Sequence, residues 1–99
     1  AYQYVCNQIA INQNKFVMNG IKPKGETWGG VVDSNTVNIF KGALEGILKE
    51  EGYSLRAVKR EWLKRGYMKH YRKDGIFGHG SIGGITGQVG QLVLPLKDD

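Results

Sequence analysis

The protein has 99 residues, of which fourteen are basic and nine acidic, so its formal net charge is +5 at pH 7. A chain of this length forms one domain, and its 40% hydrophobic fraction is that of a folded globule rather than a disordered tail. It leaves little room for an enclosed active site. No apolar run approaches the ~20 residues of a membrane helix, and no signal peptide is visible at the start.

The single cysteine, Cys6, excludes an internal disulfide bond. Together with two histidines it falls short of the four ligands of a structural zinc site, so we expect neither a metal nor a cofactor. The absence of disulfides fits a reducing compartment, and we expect a cytoplasmic protein.

The first part of the chain predicts a helix followed by a β-hairpin. Apolar residues recur at helical spacing within residues 2–14, and Cys6 lies among them, which predicts a helix with a buried thiol. Trp28, in the strand predicted over 27–32, is expected in the core. The later segments predict, in order, a strand over 15–18, a turn at Asn19-Gly20, a loop over 21–26, a strand over 27–32 and a turn over 33–35.

Two helices joined by a short turn follow a strand predicted over 36–40. The first covers residues 41–51 and ends at Gly52, where glycine adopts the left-handed conformation of a helix C-terminus. Ser54 is a good N-cap for the second helix, over 55–65, which ends at Gly66. Two helices joined by so short a link indicate a helix-turn-helix.

The last part of the chain predicts a strand over 67–73, a turn at 74–75, a glycine-rich loop over 75–90 and a closing strand over 91–96. The order strand, helix, helix, strand, long loop, strand is that of a winged helix. We therefore predict an α+β fold over 1–99, excised from a longer protein, with an N-terminal helix and hairpin over 1–35 and a winged helix-turn-helix core over 36–97. The glycine-rich loop is expected to be a flexible wing that orders on a partner, or a disordered loop without function.

The positive charge is concentrated in one quarter of the chain. Residues 49–73 hold nine basic and three acidic residues, a net of +6, whereas residues 1–48 carry +1 and residues 74–99 carry −2. Such clustering is expected of a surface that binds a polyanion. A solvated basic face is the alternative. The predicted nucleic-acid-binding residues are Arg56, Lys59, Arg60 and Lys64 on the second helix, and Lys69, Arg72 and Lys73 on the strand after it.

Aromatic residues accompany this basic segment. Trp62 lies on the apolar side of the second helix and is expected in the core. Tyr67 and Tyr71 share one face of the predicted strand, where they either stack on bases or pack under the wing.

Gly78-His79-Gly80-Ser81-Ile82-Gly83 matches the Gly-x-Gly-x-x-Gly pattern of dinucleotide-binding proteins. That pattern functions between a strand and a helix, with an acidic residue about 20 positions further on. Here it precedes more glycine and a closing strand, so a dinucleotide site is not expected. No spacing indicates a nucleophile with its base, and we expect no enzymatic activity from this domain.

The run from Glu45 to Tyr71 resembles the C-terminal domain of phage- and mobile-element-encoded helicase-like replication proteins, which are superfamily II helicases and inactivated derivatives. The matching features are Asn14-Lys15-Phe16, Trp28-Gly29, Glu51-Gly52-Tyr53 and the block from Trp62 to Tyr67. The resemblance implies a winged-helix accessory domain of a bacterial replication protein whose motor lies elsewhere in the parent chain.

The function expected from these observations is DNA binding, mainly through phosphates, within a replication or helicase protein. Its partners would be duplex or single-stranded DNA and other domains of the parent helicase, with no membrane involved. A protein–protein docking module is the alternative, in which the closing strand or the glycine-rich loop forms the contact.

Overall fold

The computed structural model describes residues 1–71 and 75–95. Within them the chain forms three α-helices, which are α1 (Tyr2–Ile11), α2 (Lys41–Glu50) and α3 (Leu55–Arg65), and a short 3-10 helix over Gln13–Lys15. The strands are β1 (Phe16–Val17), β2 (Gly29–Asp33), β3 (Thr36–Phe40), β4 (Met68–Lys69), β5 (Phe77–Ile82) and β6 (Ile85–Val93). No helix among the described residues is long and apolar enough to cross a membrane.

Local signals set the ends of the helix-turn-helix, as the sequence predicts. The Ser54 hydroxyl accepts a hydrogen bond from the Ala57 amide at 3.2 Å, which caps α3. Gly52 (φ +82°) and Gly66 (φ +79°) adopt the left-handed conformation after α2 and α3. The predicted cap at Ser54 and the predicted helix ends at Gly52 and Gly66 are therefore confirmed.

β6 is the strand that organises the sheet. Along one edge its residues 89–93 pair with β3, and along the other edge residues 85–90 pair with β5 and residues 91–92 with β4, all antiparallel. β3 continues antiparallel to β2, and β2 lies parallel to the short β1. The prediction of a β-hairpin formed by the strands over 15–18 and 27–32 is therefore wrong, and β2 forms its hairpin with β3 instead. The sheet order is β1-β2-β3-β6-β4, with β5 beside the first half of β6.

The three helices cover one face of this sheet. Their buried side chains meet those of the central strands in a single apolar core, formed by Val5, Ile9, Val37, Ile39, Leu44, Ile47, Leu48, Leu55, Val58, Trp62, Met68 and Leu92, with Phe16 beside them. The α+β winged helix-turn-helix fold is thus confirmed. The burial of Trp62 and of the Cys6 thiol, each less than 10% exposed, is confirmed too.

The aromatic residues near α1 pack against one another. The Tyr2 ring stacks on the Tyr67 ring with 3.6 Å between centroids and meets Trp62 edge-on at 5.6 Å. Tyr67 therefore packs within the protein rather than presenting its face to a base. Trp28 is half-buried at the border of the core, where its ring meets Phe16 edge-on.

The prediction of a flexible loop over 75–90 is wrong. This segment forms β5, a two-residue turn at Gly83-Gly84 and most of β6, which together make a regular hairpin. Both turn glycines have positive φ (+60° and +84°), as a tight hairpin between right-twisted strands requires.

Aromatic rings explain the glycines within these two strands. A Cβ atom at Gly90 would lie 2.5 Å from Cε1 of Phe77, and one at Gly87 would lie 3.3 Å from Cδ1 of Phe40. A Cβ atom at Gly80 would overlap the ring of Tyr71. The rings fill the space that side chains would otherwise occupy, so at these three positions glycine reflects close packing.

The tip of the hairpin lies on the N-terminal strands rather than projecting alone into solvent. Cγ2 of Ile82 is 3.0 Å from where a Cβ of Gly30 would be, and Cγ2 of Val17 is 2.9 Å from where a Cβ of Gly83 would be. Ile82 is only 8% exposed as a result. The wing is therefore part of the packed structure of the domain.

The strand predicted over 67–73 is shorter than expected, because β4 comprises only Met68 and Lys69. Arg72 and Lys73, which were predicted to bind nucleic acid from this strand, lie outside the described residues. The closing strand predicted over 91–96 begins earlier than expected and ends at Val93.

Candidate nucleic-acid interface

α3 has one buried and one exposed side. Leu55, Val58 and Trp62 are between 4% and 9% exposed and anchor the helix to the core. The predicted binding residues Arg56, Lys59, Arg60 and Lys64 are all exposed on the remaining surface. At 1.5 Å per residue, Arg56 and Lys64 are about 12 Å apart along the helix axis, which makes a continuous basic strip.

The charges of this strip are not neutralised within the protein. None of the four residues forms an ion pair with another residue in the described ranges 1–71 and 75–95. The acidic residue of α3, Glu61, instead receives a hydrogen bond from Nε of Arg65 at 2.7 Å. Glu61 thus neutralises a cation outside the strip, and the strip itself is available to an external anion.

Lys41 adds a cation to this surface that the sequence analysis missed. It is the first residue of α2, and its Nζ lies 5.8 Å from the centre of the Phe77 ring. A cleft of about 200 Å³ lies here between α2, α3 and β5; its walls are Lys41, Glu45, Leu55, Arg56, Lys59 and Phe77. No spacing in the sequence relates Lys41 to α3, since the packing of α2 on α3 and of Phe77 beside them brings these residues together.

Lys69 lies apart from these residues. Met68 is 1% exposed and points into the core between sheet and helices, so the next residue points to the opposite face of the sheet. Lys69 is paired with Gln91, which in turn lies opposite Asn38. The structure therefore brings four of the seven predicted residues together on α3, places Lys69 on the face away from the helices, and leaves Arg72 and Lys73 outside the described residues.

The Gly-x-Gly-x-x-Gly segment occupies β5 and the turn after it, and it leads into another strand rather than a helix. This arrangement lacks the helix N-terminus that binds the pyrophosphate in dinucleotide sites. Within the described residues, no group of three or more His, Cys, Asp or Glu side chains is close enough to hold a metal ion.

A larger cleft, of about 440 Å³, lies between α1, α2 and Trp28. Lys15 reaches over the Trp28 ring at 4.4 Å from its centre, and Glu26 and Glu50 line the same cleft. Because charges of both signs meet there, this cleft does not have the character of a polyanion site. The basic strip of α3 remains the candidate interface.

The family comparison agrees with this geometry. The family model of the Cch helix-turn-helix domain matches residues 1–79, a span that contains all three helices and the turn between α2 and α3. None of the curated proteins matches the chain. A helix-turn-helix commonly presents its second helix to the major groove of DNA, so the match supports a DNA-binding role. The chain belongs to the Cch helix-turn-helix domain family.

Proposed function

We propose that this domain binds DNA mainly through phosphate contacts of α3, as an accessory domain of a phage or mobile-element replication or helicase protein in the cytoplasm. The observation that carries the first part is the strip of four exposed cations without ion-pair partners among the described residues, on the second helix of a helix-turn-helix. The second part rests on the resemblance of residues 45–71 to helicase-like replication proteins.

The proposal predicts the salt dependence of binding. Each phosphate neutralised on duplex DNA contributes about −0.9 to the slope of log K against log salt concentration, so four contacts give about −3.6. A slope of that size corresponds to a loss of affinity of about 150-fold between 50 and 200 mM salt.

Fluorescence anisotropy of a labelled 20-base-pair duplex tests this proposal. The variant Arg56→Glu/Arg60→Glu removes two cations from the strip and lowers the net charge from +5 to +1. We expect it to lose most of its affinity at 50 mM salt. Its slope of log K against log salt concentration should be about −1.8 or shallower, because two phosphate contacts remain. The proposal would be contradicted if the wild type did not bind DNA at low salt, or if its affinity did not depend on the salt concentration.

The matched control is Lys24→Glu/Lys69→Glu, which has the same net charge. Lys24 is exposed in the loop before β2, and Lys69 lies on the sheet face away from the helices. Because neither residue belongs to the strip, this variant should stay close to the wild type. An equal loss in both variants would mean that net charge, and not the surface of α3, governs binding.

A docking module is the second candidate, and exposed apolar residues near β1 favour it. Ile11 is 72% exposed, Ile21 73% and Met18 41%, and Met18 borders an apolar groove of about 280 Å³ between Ile9 and Val31. The closing strand is hydrogen-bonded to β3 along one edge and to β4 along the other, so this groove is the better candidate for such a contact. If Arg56→Glu/Arg60→Glu abolishes DNA binding but leaves replication by the parent protein unchanged, docking is the main function.

A further inference from the structure

The β5–β6 hairpin has two chemically different faces. One carries Gly80, Ile82, Gly87 and Val89 and lies against the rings of Tyr71 and Phe40 and against the N-terminal strands. The other carries polar residues in two cross-strand pairs, and all four are exposed: His79 opposite Gln88, and Ser81 opposite Thr86. We name these four residues the polar row.

The polar row lies on the same side of the sheet as the helices. Phe77 and Gly90 precede it in the ladder and share its face, and Gly90 lies opposite Ile39, which is fully buried under the helices. Phe77 also lines the cleft with Arg56 and Lys59. The row thus continues outward from the basic strip of α3, and Ser81 is about 13 Å beyond Phe77 along the strand.

Charged side chains lie on α3, whereas neutral hydrogen-bonding side chains lie on the β5–β6 hairpin. Between Leu55 and Arg65 the sequence contains neither an amide nor a hydroxyl side chain, and its exposed strip consists of long cations. The polar row holds two hydroxyls, one amide and one imidazole, each able to donate or accept a hydrogen bond. Cations contact phosphates and, among the bases, mainly guanine, whereas a glutamine amide recognises adenine and hydroxyls contact several bases, so recognition of a mixed sequence needs groups such as those of the polar row.

We propose that the polar row of the hairpin reads base edges in a DNA groove while α3 holds the phosphates. This division of roles reverses the usual one, in which the second helix of a helix-turn-helix makes the base contacts. A two-stranded ribbon fits the major groove, which is about 12 Å wide. Gln88 is the side chain best suited to discriminate, through a bidentate contact to adenine. The inference rests on the proposed DNA-binding function.

Selection from a pool of 30-base-pair duplexes with twelve random central pairs tests this division. We expect the wild type to enrich a motif and to prefer it over a scrambled duplex by about tenfold, since one bidentate contact discriminates by about fivefold to 150-fold. Ser81→Ala/Thr86→Ala/Gln88→Ala should reduce that preference to less than about threefold while leaving the salt slope unchanged. All three positions are exposed, and circular dichroism checks that the variant is folded.

The control variant is Gln3→Ala/Asn7→Ala, which removes an exposed, mutually hydrogen-bonded pair of amides on α1 and should keep the full preference. Two results would overturn the inference while DNA binding persists: the wild type enriches no motif, or the triple variant retains the preference of the wild type. Absence of any binding at 50 mM salt would overturn the proposed function itself. The Gln88→Ala single variant provides a second, milder measure of the same loss.

Discussion

The glycines of the hairpin can be tested by adding a single methyl group. Gly90 lies in β6 without an unusual backbone angle, so the replacement Gly90→Ala introduces no backbone strain. Its new Cβ would lie 2.5 and 2.8 Å from two carbons of the Phe77 ring and 3.3 Å from Cε of Met68. Carbon atoms pack best at about 3.5–4.0 Å, so the ring has to retreat by about 1 Å.

The size of the effect follows from how Phe77 is held. Its ring is partly buried: it packs against the core and under Lys41 and also lines the cleft beside Arg56, so it can move toward the cleft only by losing part of its packing. Overpacking of this kind costs about 1–3 kcal/mol. The lower entropy of the unfolded chain with alanine recovers about 0.4–1 kcal/mol. We therefore expect Gly90→Ala to lower the free energy of unfolding by about 1–2 kcal/mol.

Urea denaturation followed by tryptophan fluorescence measures this change, because Trp62 is buried in the core. The matched control is Gly42→Ala, whose new Cβ has no heavy atom within 4 Å outside its own helix. Gly42 lies in the first turn of α2, where replacing glycine by alanine stabilises the helix by up to about 1 kcal/mol, so the two variants should move in opposite directions. If Gly90→Ala proves as stable as Gly42→Ala, the aromatic rings do not explain the glycines of the hairpin.

Three further outcomes are expected. Ser54→Ala removes the cap of α3 and should lower the free energy of unfolding by about 1 kcal/mol in urea; no loss would mean that the hydrogen bond to Ala57 contributes nothing. A fifth phosphate contact from Lys41, beyond the four of the strip, would bring the salt slope of the wild type to about −4.5, and Lys41→Gln should then make it shallower by about 0.9, as anisotropy can show; an unchanged slope would exclude Lys41 from the interface. Burial raises the pKa of Cys6 and of Tyr2, so the folded state disfavours their ionised forms. The stabilising effect of Cys6 is complete below the pKa of an unfolded cysteine, about 8.5, and is lost as the pH rises above it, whereas that of Tyr2 declines only above the pKa of an unfolded tyrosine, about 10. Chemical denaturation between pH 7 and 10 should show this decline, Cys6→Ala should reduce it, and a rise in stability with pH would contradict it.

The helix-turn-helix could be predicted from the sequence because its signals are local. A serine hydroxyl that caps α3 and two glycines with positive φ act within one turn of each helix end. The four cations of α3 could be placed on one surface for the same reason, since helical spacing and the apolar positions fix which side is exposed.

The hairpin and the extent of the interface could not be predicted, because they depend on distant residues. Phe40 lies 47 positions before Gly87, whose space its ring fills, and the sequence offers no sign of that pairing. Glycine density alone is equally compatible with a mobile loop. The face of the sheet occupied by Lys69 depends on its register with β6, and a shift of one residue would have placed it beneath the helices.

The central position of β6 has a consequence for dividing this chain into fragments. The match to the family ends at residue 79, inside β5, whereas β6 begins at Ile85. A fragment cut at that boundary would keep all three helices but lose the strand to which β3, β4 and β5 are hydrogen-bonded, along with the buried Val89 and Leu92. The open edge of β3 would then be free to pair with another molecule, so such a fragment should aggregate rather than fold. The segment that matches the family is thus smaller than the folded unit, which includes β6.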